Sequence, residues 1–256
     1  MTNSDDGGVE LRVGGPVATV TLNRPDRLNS QTPATWRALA AFGAGLGPEV
    51  RVVVVRGEGR AFSAGLDRSL FTAEPGVEGG LGALASASDR DIVERIAEFQ
   101  AGFSWLTQGS AVSIAAVQGH AIGAGFQLAL ACDLRVLSED ATLTMAETSL
   151  GLVPDLTGTA PLVRTVGYSQ ALEICATGRR VASAEASALG LATAVVPADQ
   201  LADAVQDLVA ALLAAPPSSL AATKQLLLGA ADRTRVEQNE AERLSQLSML
   251  RERWPA

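Results

Sequence analysis

The chain has 256 residues, of which 47% are hydrophobic, and a formal net charge of −8. That length suits one large α/β unit with small appendages; the acidic balance argues against a general nucleic-acid surface, which needs a basic stripe to displace phosphate counterions. Apolar runs such as "AVSIAAV" fall far short of the ~20 residues that cross a bilayer, so no membrane partner is expected.

A single histidine, His120, and two cysteines, Cys132 and Cys175, without ligand spacing provide too few soft ligands for a structural zinc site. The cysteines read as buried free thiols in a reducing cytoplasm. The acidic start "MTNSDDGGVE" has neither the basic region nor the apolar core of a signal peptide, so a cytoplasmic location is expected.

In chain order, residues 1–8 are expected to form a disordered tail. "VELRVGGPVATVTLNRP" then gives two short alternating runs around Gly14-Gly15, the spacing of a β-hairpin. Thr32 as cap and Pro33 in the first turn predict a helix from Pro33 to about Leu46. "VRVVVVRG" is an unbroken β-branched run that suits a parallel strand buried on both faces. Leu70 to Asp89 is rich in Gly, Ala and Ser with little periodicity and reads as a mobile loop bordering a binding pocket.

A helix over Asp89–Gln108 leads into a second buried strand, "AVSIAAVQG", then a buried helix around "FQLALACD" and a third strand, "LRVLS". Strand, crossover helix and strand imply right-handed βαβ units. After Thr159 the pattern is mostly helical, with a short strand "ATAVVP" and helices near 199–214, 217–229 and 234–250. The predicted division is an α/β core over residues 9–195 and a helical C-terminal region over 196–256.

Two small-residue turns follow buried strands: "GRAFSAGLD" (Gly59–Asp67) and "GHAIGAGFQ" (Gly119–Gln127). The second is no dinucleotide fingerprint, because its glycines fall at 119, 123 and 125 with no suitable acid ~20 positions on, nor a Walker loop, because no Lys-Ser/Thr follows. Small residues at a helix start instead leave main-chain N–H groups uncrowded at the positive end of the helix dipole, a setting for a developing oxyanion. Two such turns on neighbouring parallel strands can aim amides at one point.

"GRAFSAGLD", "VQGHAIGAGFQLALACDLRV" and "AETSLGLVPD", in this order and spacing, resemble the signature segments of the crotonase (enoyl-CoA hydratase/isomerase) superfamily, and "LNRPDRLNS" resembles its N-terminal segment. The resemblance implies a repeated ββα spiral core with a C-terminal helical region that assembles trimers, which can pair into hexamers. It implies an acyl-CoA thioester as substrate, with coenzyme A part of that substrate and no separate cofactor. It places the two oxyanion amides on Leu66 and Ala124, one carboxylate on Glu147, and a second acid, as in dienoyl-CoA isomerases, on Asp155. Where the family's hydratases carry a first glutamate this chain has Gln127, which cannot ionise, so isomerisation with Glu147 as the one base is expected ahead of hydration. Hydration, thioester hydrolysis or ring-forming chemistry, and non-catalytic acyl-CoA binding are the alternatives. Arg27 and Lys224 match positions near the nucleotide and Ala64 the backbone beside the adenine. Asp67 meets the substrate or, as expected first, braces the Leu66 turn; His120 matches a variable position and is expected to be a bystander.

Overall fold

The structure, a computed structural model, describes residues 7–74, 76–77 and 79–255. Strands β1 (Val9–Gly14) and β2 (Val17–Leu22) form the expected antiparallel hairpin. Helix α1 (Pro33–Ala44) follows, its N-terminus closed by a capping box in which Thr32 and Thr35 satisfy each other's backbone N–H groups. Strand β3 (Val52–Gly57), short helix α2 (Leu81–Ala85), long helix α3 (Asp89–Gln108) and strand β4 (Val112–Val117) come next. Then come β5 (His120–Ile122), α4 (Ala124–Ala131), β6 (Leu134–Ser138), β7 (Thr142–Thr144), α5 (Thr159–Val166) and α6 (Tyr168–Thr177). Strand β8 (Arg180–Ala182), α7 (Ser183–Ala188), β9 (Ala194–Val196), α8 (Leu201–Ala214), α9 (Pro217–Gly229) and α10 (Arg235–Arg253) complete the chain.

The main sheet has the order β1-β2-β3-β4-β6-β9, parallel from β2 onward. Its central strands explain the unbroken valine run. On β3, Val53 and Val55 face one core with Trp36 and Leu39 of α1 and Phe99, Phe103 and Leu106 of α3, whereas Val52 and Val54 face a second core covered by Leu201 and Val205 of α8. With period-2 alternation and helices on both faces, successive valines of β3 enter opposite cores, so the run from Val52 to Val55 is apolar without a break. Helices α1 and α3 approach closely at Gly102, where a methyl group would meet the Trp36 carbonyl oxygen at 2.5 Å, and the Trp36 and Phe99 rings pack with centroids 4.8 Å apart.

A second sheet of three-residue strands, β5-β7-β8, stands beside the first. Three residues are too few to show a period, which is why the sequence pattern missed it. Other expectations are corrected. Gly7 and Gly8 belong to the folded chain, since Thr35 donates to the Gly7 carbonyl and Asn23 to that of Gly8; residues 1–6 of the expected tail lie outside the described residues. The expected loop contains α2, started by Gly80 and tied by the Ser86 hydroxyl to the Gly82 carbonyl. The C-terminal helices are not one unit either, because α8 completes the core. Arg51 donates to the carbonyls of Leu213 and Ala215, groups that a helix end leaves without partners.

Lys224 is the largest departure. Expected near a nucleotide, it is the one buried residue of α9, and its ammonium donates to the carbonyls of Leu106 and Ala111 and pairs with Asp133 at 2.8 Å. Asp133 in turn accepts from the Ser113 N–H and hydroxyl. This cation fastens α9 to the end of α3 and the start of β4 and has no charge to spare for a phosphate. Lys224→Met strands the partly buried Asp133 carboxylate and is expected to cost about 3 kcal/mol in urea unfolding, with Lys224→Met/Asp133→Asn costing less than the sum of its parts. A loss below about 0.5 kcal/mol, typical of a surface substitution, would contradict this assignment.

Candidate active site

Three chain segments meet at the C-terminal ends of β3 and β4, where ligands bind in open parallel sheets. The first is the turn Ser63–Asp67. Its backbone is threaded into neighbours: Ser63 donates to the His120 carbonyl, Ala64 to that of Leu28 and Asp67 to that of Gln31, while Gly65 offers its carbonyl to Gln31. The Ser63 hydroxyl accepts from Gly65 N and Gln31 Nε2 and donates to the Asn29 carbonyl, and Trp36 Nε1 holds Gln31 Oε1 at 2.8 Å. Each buried polar group named here has a partner, so the turn has one low-energy arrangement.

The second segment is Gly123 and the start of α4. Gly123 has φ 52° and ψ −118°, a conformation that favours glycine, and donates to the Thr144 carbonyl at 2.8 Å. Gly65, at φ 82°, packs against it so tightly that a methyl group there would stand 2.4 Å from the Ile122 carbonyl oxygen and 3.4 Å from the Ala124 nitrogen. The turn carrying Leu66 and the helix start carrying Ala124 are therefore in direct contact. Neither the Leu66 nor the Ala124 N–H donates to another backbone group among the described residues, and as first residue of α4 Ala124 has no partner within its helix.

The third segment is the 3-10 turn Glu147–Leu150, delivered by the parallel pairing of β7 with β5. Glu147 is 9% exposed, and a methyl group on Gly123 would lie 3.2 Å from its Oε1. Oε1 accepts from Gln127 Nε2 at 2.7 Å, whereas Oε2 is buried without a partner. Burial raises the pKa of Glu147; hydrogen bonds, that of Gln127 among them, oppose the rise, and the nearby Asp155 charge adds to it. Asp155 is half-buried with its own pKa raised by burial, and its carbonyl is held by Gln100. The structure thus brings Leu66, Ala124, Gln127, Glu147 and Asp155 together.

A family description of enoyl-CoA hydratase/isomerase matches residues 12–253. The chain belongs to the enoyl-CoA hydratase/isomerase family, within the crotonase superfamily. A Thermobifida fusca YX protein crystallised with acetoacetyl-CoA is 48% identical and superposes with a TM-score of 0.92 over 96% of both chains. The (E)-benzylidenesuccinyl-CoA hydratase of Thauera aromatica is 33% identical over 85% of this chain and 80% of its own. An enoyl-CoA hydratase from Polaromonas sp. JS666 is 29% identical, with a TM-score of 0.83 over 94% of this chain and 91% of its own. Membership makes the protein an acyl-CoA enzyme of crotonase-like fold; the relatives' names say hydratase.

Other residues singled out from the family pattern lie outside this cluster. Asp67 accepts from Arg24 at 2.8 Å, from the Ser30 hydroxyl, and from the Ser69 N–H and hydroxyl. Burial alone would raise its pKa, but these four donors hold it well below the usual carboxylate range. Both its oxygens are engaged, so it braces the Leu66 turn. Sequence reasoning missed Arg24, although it lies in the quoted "LNRPDRLNS". Arg27 is exposed and forms no ion pair among the described residues, while Ala64 is half-buried. His120 Nδ1 meets the Thr142 hydroxyl at 2.9 Å, a contact within the small sheet. Cys175, expected to be buried, is half-buried, and burial and the Glu147 charge both push its thiol pKa up.

The raised pKa of Glu147 has a stability consequence. The folded state holds this proton to higher pH than the unfolded chain, so the contribution of Glu147 is most favourable below the unfolded carboxylate pKa and declines as pH rises toward the folded value. Glu147→Gln is therefore expected to raise Tm at neutral pH and to lose that advantage in acid. A variant less stable than wild type at neutral pH in thermal unfolding would contradict the burial argument.

Proposed function

We propose that this protein moves the double bond of an enoyl-CoA thioester, as a Δ3,Δ2-enoyl-CoA or dienoyl-CoA isomerase. The observation that carries this reading is the unlike pair at the site: one buried carboxylate with an unpartnered oxygen, hydrogen-bonded to an amide that cannot ionise. A one-base proton shuttle needs no more, whereas two glutamates activating a water would need a second acid at Gln127.

In this reading the Leu66 and Ala124 amides hold the thioester oxygen. As Glu147 removes a C2 proton, charge develops on that oxygen, and preorganised donors favour the dienolate over the neutral thioester; one such donor is worth about 2.7–4 kcal/mol of barrier. Glu147 then returns the proton at C4. Burial raises its basicity toward that of the carbon acid's conjugate, and Asp155, across the site, shares the proton transfers of dienoyl substrates. Arg27 meets the phosphates of coenzyme A and the Ala64 backbone the adenine; the coenzyme enters only as part of the substrate.

Assembly with further copies, as a trimer or dimer of trimers, is supported by the exposed Leu244, Leu247 and Leu250 of α10, a helix without a buried residue. A cytoplasmic location belongs to the same reading. Hydration is the second reading, favoured by the relatives' names and requiring Gln127 to orient a water for Glu147 alone.

Assays of 3-enoyl-CoA, 3,5-dienoyl-CoA and crotonyl-CoA with wild type, Glu147→Gln and Asp155→Ala decide between them. Isomerisation is expected to exceed hydration and to fall by about 10²–10⁴-fold in Glu147→Gln, the usual contribution of a general base. Crotonyl-CoA hydration outrunning isomerisation would make the protein a hydratase. Saturable thioester binding without turnover would make it a binding protein.

A further inference from the structure

Gln127 is completely buried, and both ends of its amide are committed. Its Oε1 accepts from the Leu156 N–H at 2.8 Å and the Gly158 N–H at 3.3 Å. Turning the amide over would set its NH2 against two N–H donors and its oxygen against a carboxylate. The backbone of the loop after Asp155 therefore dictates that Nε2 faces Glu147. We propose that Gln127 is a positioning residue that makes the two oxygens of Glu147 unequal: Oε1 remains a hydrogen-bond acceptor throughout the reaction, and Oε2 alone takes and returns the substrate proton.

This rests on the reading of Glu147 as the base and adds which atom works and what selects it. In the step, an Oε2 lone pair takes the C2 proton and the C–H electrons pass into the dienolate. The new Oε2–H bond then breaks toward C4, whose carbon–hydrogen bond forms from the C3=C4 electrons of the dienolate while the C1=C2 electrons form the new C2=C3 bond and the thioester carbonyl is restored. Oε1 becomes the carbonyl oxygen of the neutral acid and still accepts from Nε2, so nothing around the carboxyl needs to reorient. A carboxylate at position 127 would instead compete with Glu147 for one proton. The other titratable groups coupled to Glu147 are Asp155, on the loop before α5, and Cys175 on α6, and neither supplies a positive charge. Gln127 is the side-chain donor that counters their effect.

Infrared titration of the Glu147 carboxyl, identified as the band lost in Glu147→Gln, tests the assignment. In Gln127→Met the titration midpoint is expected to rise by about one pH unit or more, the effect of losing a hydrogen bond to a charged group. The C=O stretch of the protonated acid should move to higher frequency, because the carbonyl is the oxygen Gln127 held. Should Gln127→Met not fold, the shorter Gln127→Asn draws the amide back from Oε1 without adding a titrating group, and a rise in midpoint of the same sign is expected. In a folded variant kcat should fall at least tenfold with KM little changed. An unmoved C=O band would put the proton on Oε1, and an unmoved midpoint would remove Gln127 from the mechanism; either overturns the proposal. Absence of isomerisation by wild type would defeat the proposed function while leaving the infrared shift to report on Gln127 by itself.

Discussion

The 2.8 Å hydrogen bond from the Gly123 N–H to the Thr144 carbonyl joins the two halves of the site. On one side it ends the short strand β5 and starts α4, fixing the Ala124 amide. On the other it ends β7, three residues before Glu147. A chain that reached these positions through separate flexible loops would spend conformational entropy on each encounter. Here a parallel pair of three-residue strands sets amide and carboxylate in one register, and Gly123, without a side chain, leaves room for the Glu147 carboxyl, whose Oε1 would stand 3.2 Å from a methyl group there. The Leu66 turn is held to the same point by Gly65 packed on Ile122 and by the bridge between Ser63 and Ala121.

Two buried acids in this framework have opposite fates for one physical reason. Asp67 and Glu147 are both withdrawn from water, which alone disfavours charge. Asp67 is met by a guanidinium, two hydroxyls and a backbone N–H, so it is firmly ionised and holds the Leu66 turn rigid. Glu147 is given a single side-chain donor, on one oxygen, and is left basic. Desolvation is thus left largely uncompensated at Glu147, the base in the proposed reaction, and is fully compensated at Asp67, where a loop is held still.

Much of the frame is legible in the residues. Thr32 before Pro33 marks the start of α1, the valine run marks a doubly covered strand, and Asp89–Gln108 emerges with the boundaries expected. The small sheet is not legible, because its strands are three residues long and their pairing is set by tertiary contact. Lys224 shows a different limit. A lysine flanked by polar and apolar positions reads the same whether its ammonium meets solvent, phosphate or a buried carboxylate, and only the placement of Asp133 twenty residues past Ser113 resolves it. At the site, "GAG" and the isolated glutamate point to amides and a base, but the unequal environment of the two Glu147 oxygens depends on Leu156 and Gly158, some thirty residues from Gln127.

The central claim is that two backbone amides from separate turns share one thioester oxygen beneath Glu147. A crystal structure with an unreactive acyl-CoA thioester bound measures this directly. The account places the thioester oxygen roughly 2.7–3.1 Å from both the Leu66 and Ala124 nitrogens, with the carbon next to the carbonyl beside Glu147 Oε2. A thioester oxygen held by other donors, or an acyl chain directed away from Glu147, would contradict it.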